Sequence, residues 1–250
     1  DSENIREAEA YIATLGITAK HIFIHASFAS LREELEKIGI DHIDFILYDL
    51  GVSSVHYDIG DRGFSTRFDG PLDMRFDRTH GKTASDLVMT LEDRELVRIF
   101  SLYGEEKKAW FIVNAIVKER KENTIDTTAK LLTLIANSSY DPKSPIRVFQ
   151  ALRIAVNEEF SHIEDSLPLA LDLLSPSGLV AVITFHSLED RLVKHTFEPF
   201  LEDIIDDITG QIRIRAKYKK YTKKPIEPTE EEIARNPRSR SAKMRIIQKI

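Results

Sequence analysis

Cysteine is missing from all 250 residues, which excludes disulfides, thiolate metal sites and a cysteine nucleophile and agrees with a reducing compartment. Glycine is sparse where nucleotide chemistry usually needs it. The ten glycines stand at 16, 39, 51, 60, 63, 70, 81, 104, 178 and 210, so no Gly-x-Gly pair exists. Neither a Gly-x-x-x-x-Gly-Lys loop nor a Gly-x-Ser-x-Gly elbow is present, which sets aside P-loop and hydrolase-elbow readings. No window approaches the roughly 18 apolar residues of a membrane helix, and the first residues carry no basic-then-apolar pattern. A cytoplasmic location without membrane contact is expected.

What remains is ample for a folded core, with 42% apolar and 30% charged side chains, in one domain or two unequal ones. The net charge of −6 is spread unevenly. Residues 210–250 hold 13 Lys and Arg against four Asp and Glu, a net +9 that leaves −15 on residues 1–209. A basic end on an acidic body suits an anionic partner such as RNA; the plainer alternative is a solvated, irregular tail.

Periodicity divides the chain into α/β ends and a helical middle. Residues 4–15 read as a helix stopped by Gly16, "HIFIHA" (21–26) as a strand, "LREELEKIG" (31–39) as a helix and "IDFILYDL" (43–50) as a buried strand. From Asp86 to Asn137 the pattern is wholly helical. Thr90 and Asp93 stand at capping-box spacing, and Leu96, Ile99, Phe100 and Tyr103 follow as an apolar face. Two further helices, through "QALRIAVNEEF" and "EDSLPLALDLL", precede Ser175-Pro176-Ser177-Gly178, which has turn chemistry, and a strand over 179–185. Ser187 and Asp190 also have capping-box spacing, and "SAKMRIIQKI" reads as a last strand. The pattern predicts an α/β fold carrying an inserted helical domain.

Ligands of open α/β sheets bind outside the carboxyl ends of the strands. Two such ends are polar here: Asp49, with Gly51, Ser53, Ser54 and His56 after it, and the His186–Arg191 stretch. Capping alone explains Ser187 and Asp190, whereas a carboxylate ending an apolar strand needs a partner or ligand. The segment 58–77 alternates Asp58, Asp61, Arg62, Arg67, Asp69, Asp73, Arg75 and Asp77. It is either a salt-bridged surface loop or a functional one, and Phe64, Phe68, Pro71, Leu72, Met74 and Phe76 predict order. His21 and His25, about 13 Å apart on a strand, make no metal pair, and no metal is expected.

The strings "DLGVSS", "DRGFS", "DGPLDMR", "YGEE", "FQALRIAVN", "FHSLEDR" and "NPRSRSAK" together resemble the MraW/RsmH family, the bacterial cytosine-N4 methyltransferases of 16S ribosomal RNA. The resemblance runs through the chain in the family's order. It implies a Rossmann-like, S-adenosylmethionine-dependent core, residues 1–57 and 148–250, with a mainly helical substrate-recognition domain, 58–147, inserted after the strand ending at Asp49. The implied substrate is a cytidine in the decoding region of 16S rRNA within the small ribosomal subunit, methylated on its exocyclic amine. Oligomeric state is left open.

Carried over position by position, the resemblance assigns cofactor contacts to Phe28, Asp49 and His56, the last standing where many members have Gln. Asp49, or a neighbouring backbone carbonyl, is the expected acceptor for the amine proton, with Ser53 and Ser54 shaping the pocket. Arg62, Phe64, Asp73, Arg75, Ser187, Arg238 and Arg240 are expected at the substrate, and Tyr218 and Tyr221 as stacking faces. Two departures qualify this. The family's glycine-rich cofactor loop has no equivalent here, and Trp110 and Phe111 replace residues that are commonly basic. With Asp1 rather than Met at its start, the chain is expected to be part of a longer enzyme; the rival reading is an RNA-binding chain that no longer transfers a methyl group.

Overall fold

The computed structural model of the protein describes residues 2–53, 60–206 and 209–250. The chain forms two compact units, one of residues 1–23 with 52–159 and the other of residues 24–51 with 160–250.

The first unit is helical. Helix α1 (Ser2–Thr14) ends at Gly16, whose φ of +62° is the left-handed stop that glycine accepts without strain. The helical block of this unit comprises α3 (Ala84–Thr90), α4 (Asp93–Gly104), α5 (Ala109–Glu119), α6 (Thr128–Ser138) and α7 (Ser144–Val156). Their apolar faces meet in one core that includes Leu96, Phe100, Ile112, Ile116, Leu131 and Leu152. The capping box sits at Thr83 and Asp86, not at Thr90 and Asp93. Residues 84–90 already form a helix, so Thr90 is its last residue and its hydroxyl donates back to the Asp86 carbonyl at 2.7 Å.

At the end of α7 a buried ion pair closes the unit. Arg153 Nε and Nη2 donate to the two Glu159 oxygens at 2.7 and 2.9 Å, and both side chains are more than nine-tenths buried. Lysine cannot reproduce this fork. Arg153→Lys is expected to destabilise the unit by about 1–3 kcal/mol, measured as a lower urea midpoint with an unchanged slope.

The second unit carries the sheet. Helix α2 (Leu31–Lys37) leads to β1 (Ile43–Asp49), and α8 (Glu159–Leu173) runs into β2 (Leu174–Thr184). Helix α9 (Ser187–Phe197), the short strands β3 (Ile204–Ile205), β4 (Ile212–Ile214) and β5 (Tyr218–Lys220), α10 (Glu230–Arg235) and β6 (Lys243–Lys249) follow. The main sheet has the order β1-β2-β6-β5, with β3 and β4 forming a separate ribbon. Among the described residues only β1 and β2 are parallel, pairing from Phe45 with Leu179 to Asp49 with Ile183, and β6 returns antiparallel beside β2. Residues 175–178 bulge between the partners Leu174 and Leu179, with Ser177 at φ +66°, so the predicted turn is an excursion within β2.

The expected strand at 21–26 does not form. Strands exist by pairing, and among the described residues nothing pairs with this run. Ile22 and Ile24 stay exposed. Strand β1 is consequently at the edge of the sheet, with Phe45 and Leu47 each 53% exposed.

Candidate active site

In the second unit, β1 and β2 end side by side. The Leu50 N–H donates to the Ile183 carbonyl at 3.1 Å, extending the parallel pairing to the point where both chains leave the sheet. Gly51 turns there with φ +93°, a conformation that strains residues with a Cβ. Asp49 thus stands at the carboxyl edge of a parallel pair, where open α/β sheets place their ligands. Its carboxylate has no hydrogen-bonding or ionic partner among the described residues. The residue is exposed to solvent on one side, and the protein packed around its other side partly desolvates the carboxylate and raises its pKa above the usual carboxylate value.

Phe28 lies at the same end of β1. Its ring meets Tyr48 edge to face at 5.5 Å between centroids and His162 at 6.1 Å. Tyr48 is buried and its hydroxyl reaches the Ser166 carbonyl at 3.4 Å. Phe28 itself is 38% exposed. A solvent-facing aromatic edge and an unpartnered carboxylate therefore flank one strand end. Ser54 and His56 lie outside the described residues, and Ser53 is half-buried.

The stretch after β2 differs in detail from its sequence reading. His186, not Ser187, is the N-cap of α9, and its Nδ1 accepts from the Glu189 N–H at 3.3 Å. Its Nε2 lies 2.9 Å from Glu189 Oε1, while Glu189 Oε2 accepts from the Phe185 N–H at 2.8 Å. Because Nδ1 accepts, the ring proton of the neutral imidazole is assigned to Nε2, which is close to Glu189 but not in hydrogen-bonding geometry with it. The cap is set by Glu189, which is 1% exposed, rather than by a hydroxyl. Ser187 is left exposed on the first turn. Asp190 serves neither as cap nor as free acid: it receives Arg245 of β6 at 2.7 and 2.9 Å, locking α9 to the sheet.

In the first unit, the loop after residue 60 is ordered, as its apolar residues predict. Phe64, Leu72 and Met74 are buried in the helical core. Phe64 stacks on Phe76 with centroids 5.6 Å apart, so its faces are engaged within the loop. Arg62 is buried and donates from Nη2 to the carbonyls of Arg75 and Phe76 at 2.9 and 3.1 Å. Arg75 grips Asp73 with Nε and Nη2 at 2.7 and 3.0 Å. Burial alone would raise the Asp73 pKa, but the hydrogen bonds and charge of Arg75 hold it below the usual range. The structure thus brings Arg62, Phe64, Asp73 and Arg75 together as a loop braced largely by its own hydrogen bonds, with Arg62 Nη1 also facing Glu3 of α1 at 3.5 Å.

Two residues that sequence reasoning passed over complete the brace. Asn157, after α7, accepts from the Phe76 N–H at 2.8 Å and donates to the Met74 carbonyl at 2.8 Å, securing Met74 at φ +64°. Gly70 lies so close to Gly60 that a Cβ would come within 2.1 Å of the Gly60 carbonyl oxygen. The signal for Asn157 was its place in "FQALRIAVN", one of the strings that carry the family resemblance.

In the second unit, Arg213, Arg215, Lys217, Lys219, Lys220, Lys223 and Lys224 are all exposed. Arg238 and Arg240 flank buried Ser239 in the short helical turn 237–241 and are exposed as well. Tyr221 is exposed, but Tyr218 is not a stacking face. It is buried against Phe200 and donates its hydroxyl to the Leu171 carbonyl at 3.1 Å, because alternation along β5 turns it into the core. Among the described residues no cluster of three or more His, Asp or Glu is placed to hold a metal, and no helix is long and apolar enough to cross a membrane.

A mixed α/β unit that delivers a carboxylate to the carboxyl edge of a parallel pair, in a chain that also carries a helical unit, has the layout of a Rossmann-like methyltransferase. The model of the MraW methylase family matches residues 1–250, and the chain belongs to that family. It is 44% identical over 262 aligned positions to the ribosomal RNA small subunit methyltransferase H of Citrifermentans bemidjiense, covering all of this chain and 82% of that protein. Proteins of the same name from Geobacter sp. strain M21 and Carboxydothermus hydrogenoformans are 43% and 40% identical, again over 100% of this chain and 82% of theirs.

Proposed function

We propose that the protein methylates the exocyclic N4 amine of a cytidine in the decoding region of 16S rRNA, using S-adenosylmethionine in the cytoplasm. The observation that carries this reading is the Asp49 carboxylate at the end of β1, without a partner among the described residues, in a chain of a methylase family whose named relatives act on small-subunit ribosomal RNA. The residues present suit the donor: Asp49 offers charge and hydrogen-bond acceptance, and Phe28 an aromatic edge, at one strand terminus. The family resemblance assigns His56, which lies outside the described residues, to the donor as well. When bound, S-adenosylmethionine supplies an electrophilic methyl group on a cationic sulfonium.

The amine of cytosine is a poor nucleophile because its lone pair is delocalised into the ring. In the proposed role the Asp49 carboxylate accepts a hydrogen bond from N4–H, which favours a pyramidal nitrogen with its lone pair available. Ser53 and Ser54 are assigned to the same step by their place directly after Asp49 in the sequence, and Ser187, exposed at the start of α9, is assigned to the substrate. The base must leave its stack to reach this edge. Arg62, Phe64, Asp73 and Arg75 act through the shape of the braced loop, with the helical unit as the substrate-recognition element.

Arg238, Arg240 and the exposed cations of 213–224 bind rRNA phosphate. Replacing Arg238 and Arg240 together by Gln is expected to make the log–log salt dependence of RNA affinity shallower by roughly 1.4, about 0.7 per single-strand phosphate contact. An unchanged slope removes the two arginines from the interface.

Calorimetric titration with S-adenosylmethionine tests the donor site. Saturable heat is expected from the wild type and none from Asp49→Ala. The absence of any Gly-x-Gly favours one rival, an RNA-binding chain without transfer, which predicts no donor heat from either protein while RNA binding persists.

A further inference from the structure

Helix α5 has two faces that packing treats differently. Ala109, Ile112, Val113 and Ile116 are buried in the helical core. The opposite side carries Trp110, Phe111, Asn114 and Lys118, all exposed. At 3.6 residues per turn these four fall within an arc of roughly 100°. Trp110 is 54% and Phe111 58% exposed, so neither aromatic is explained by the core. Lys107 and Lys108 stand just before the helix, Lys121 just beyond it, and all three are exposed. Lys108 Nζ sits 5.3 Å from the centre of the Phe111 ring, within the range of a cation–π contact. Glu119, the one acid within the helix, lies outside this arc, where Asn123 Nδ2 donates to it at 2.9 Å.

We infer that this face of α5 is a stacking platform for unpaired nucleobases of single-stranded RNA, with Trp110 and Phe111 as the π surfaces and the lysines at both ends as phosphate contacts. Charge complementarity selects the occupant. Aromatic planes interleaved with cations, with no acid in the arc itself and Glu105 and Glu122 exposed only beyond the flanking lysines, match a polyanion with exposed bases, whereas the cores of protein–protein interfaces are depleted in lysine. The platform extends the reading of the chain as an enzyme acting on ribosomal RNA and rests on it.

Trp110 is the single tryptophan in the sequence, so its fluorescence reports on this helix alone. Titration with a short single-stranded oligocytidylate is expected to quench Trp110 saturably, with a midpoint that weakens as salt rises. Phe111→Ala, at an exposed position that leaves the melting curve in place, should weaken the affinity roughly tenfold. Lys107→Gln with Lys118→Gln should make the salt dependence shallower by about 1.4. In both variants the calorimetric S-adenosylmethionine titration is the control and should match the wild type. If labelled RNA binds by anisotropy while Trp110 emission stays constant, the platform is overturned and the methyltransferase reading stands. If the oligonucleotide does not bind at all, the platform fails, while methyl transfer to small ribosomal subunits decides the methyltransferase reading separately. Quenching by small-subunit proteins that is insensitive to salt, with none by RNA, overturns the platform in favour of a protein dock.

Discussion

Asp49→Asn is expected to lower kcat/KM for methyl transfer by about 10²–10⁴-fold, the range a positioned proton acceptor contributes, while the fold persists. The amide keeps the size of the carboxylate but loses its charge and one acceptor oxygen. Sign matters for the pH dependence. The Asp49 pKa is raised by desolvation, so protonation as pH falls removes the acceptor, and the acidic limb of wild-type activity lies above the ordinary carboxylate range. The same shift has the opposite consequence for stability. An acid with a raised folded pKa favours folding below its unfolded pKa and loses that contribution as pH rises through the folded value. At neutral pH the ionised Asp49 therefore costs stability, and Asp49→Asn should melt at the same temperature as the wild type or slightly higher. Loss of activity together with loss of stability would mean that Asp49 is structural.

The second large effect is expected at Asp73. Removing its carboxylate by Asp73→Ala leaves the Arg75 guanidinium, whose side chain is only 19% exposed, without its main partner, and frees the Arg75 N–H that Asp73 also accepts. Arg75 keeps its Nη1 bonds to the His80 and Gly81 carbonyls, so losing the charge-assisted pair is expected to cost about 1.5–3 kcal/mol. The pH signature separates this from a simple packing defect. The Asp73 pKa is depressed, so its contribution is complete above the unfolded carboxylate pKa of about 3.9 and disappears as pH falls through the folded value. The wild type should therefore lose more stability than the variant on acidification below about pH 4. Chemical denaturation of the two proteins at neutral and acid pH measures the difference.

Such a loop could be anticipated in outline but not in its wiring. Alternating charges with interspersed Phe, Leu and Met announced order, and the order is there. That Arg62 spends itself on backbone carbonyls, and that Asn157 reaches back 83 residues to the Met74 carbonyl, depends on tertiary proximity that no local pattern encodes. The helices α4 to α6 were readable because each buries one face at a period near 3.6. The capping residues were not, since several Thr/Ser–Asp pairs share one spacing and the start of the neighbouring element decides among them. At 186–189 the cap is an imidazole, a residue type outside the usual preference.

Strands showed the complementary limit. The runs at 43–49 and 243–249 were legible as strands, and both pair with β2. The run at 21–26 has the same alternation of apolar residues and no partner among the described residues, so it stays outside the sheet. Periodicity reports which face a strand would bury, not whether an edge is available to receive it. For the candidate site, the carboxyl end of β1 was readable because a charged residue closing an apolar run has a desolvation cost to offset. The buried Glu189 and the Asp190–Arg245 clamp looked like ordinary helix-start acids.

The most direct test of the account is nucleoside mass spectrometry of 16S rRNA from unmethylated small ribosomal subunits incubated with the protein and S-adenosylmethionine. The expected result is N4-methylcytidine, located to the decoding region, formed by the wild type and reduced at least a hundredfold with Asp49→Asn. Methylation on another base, equal product from the Asp49 variant, or no product under conditions where both donor and rRNA are bound would contradict it.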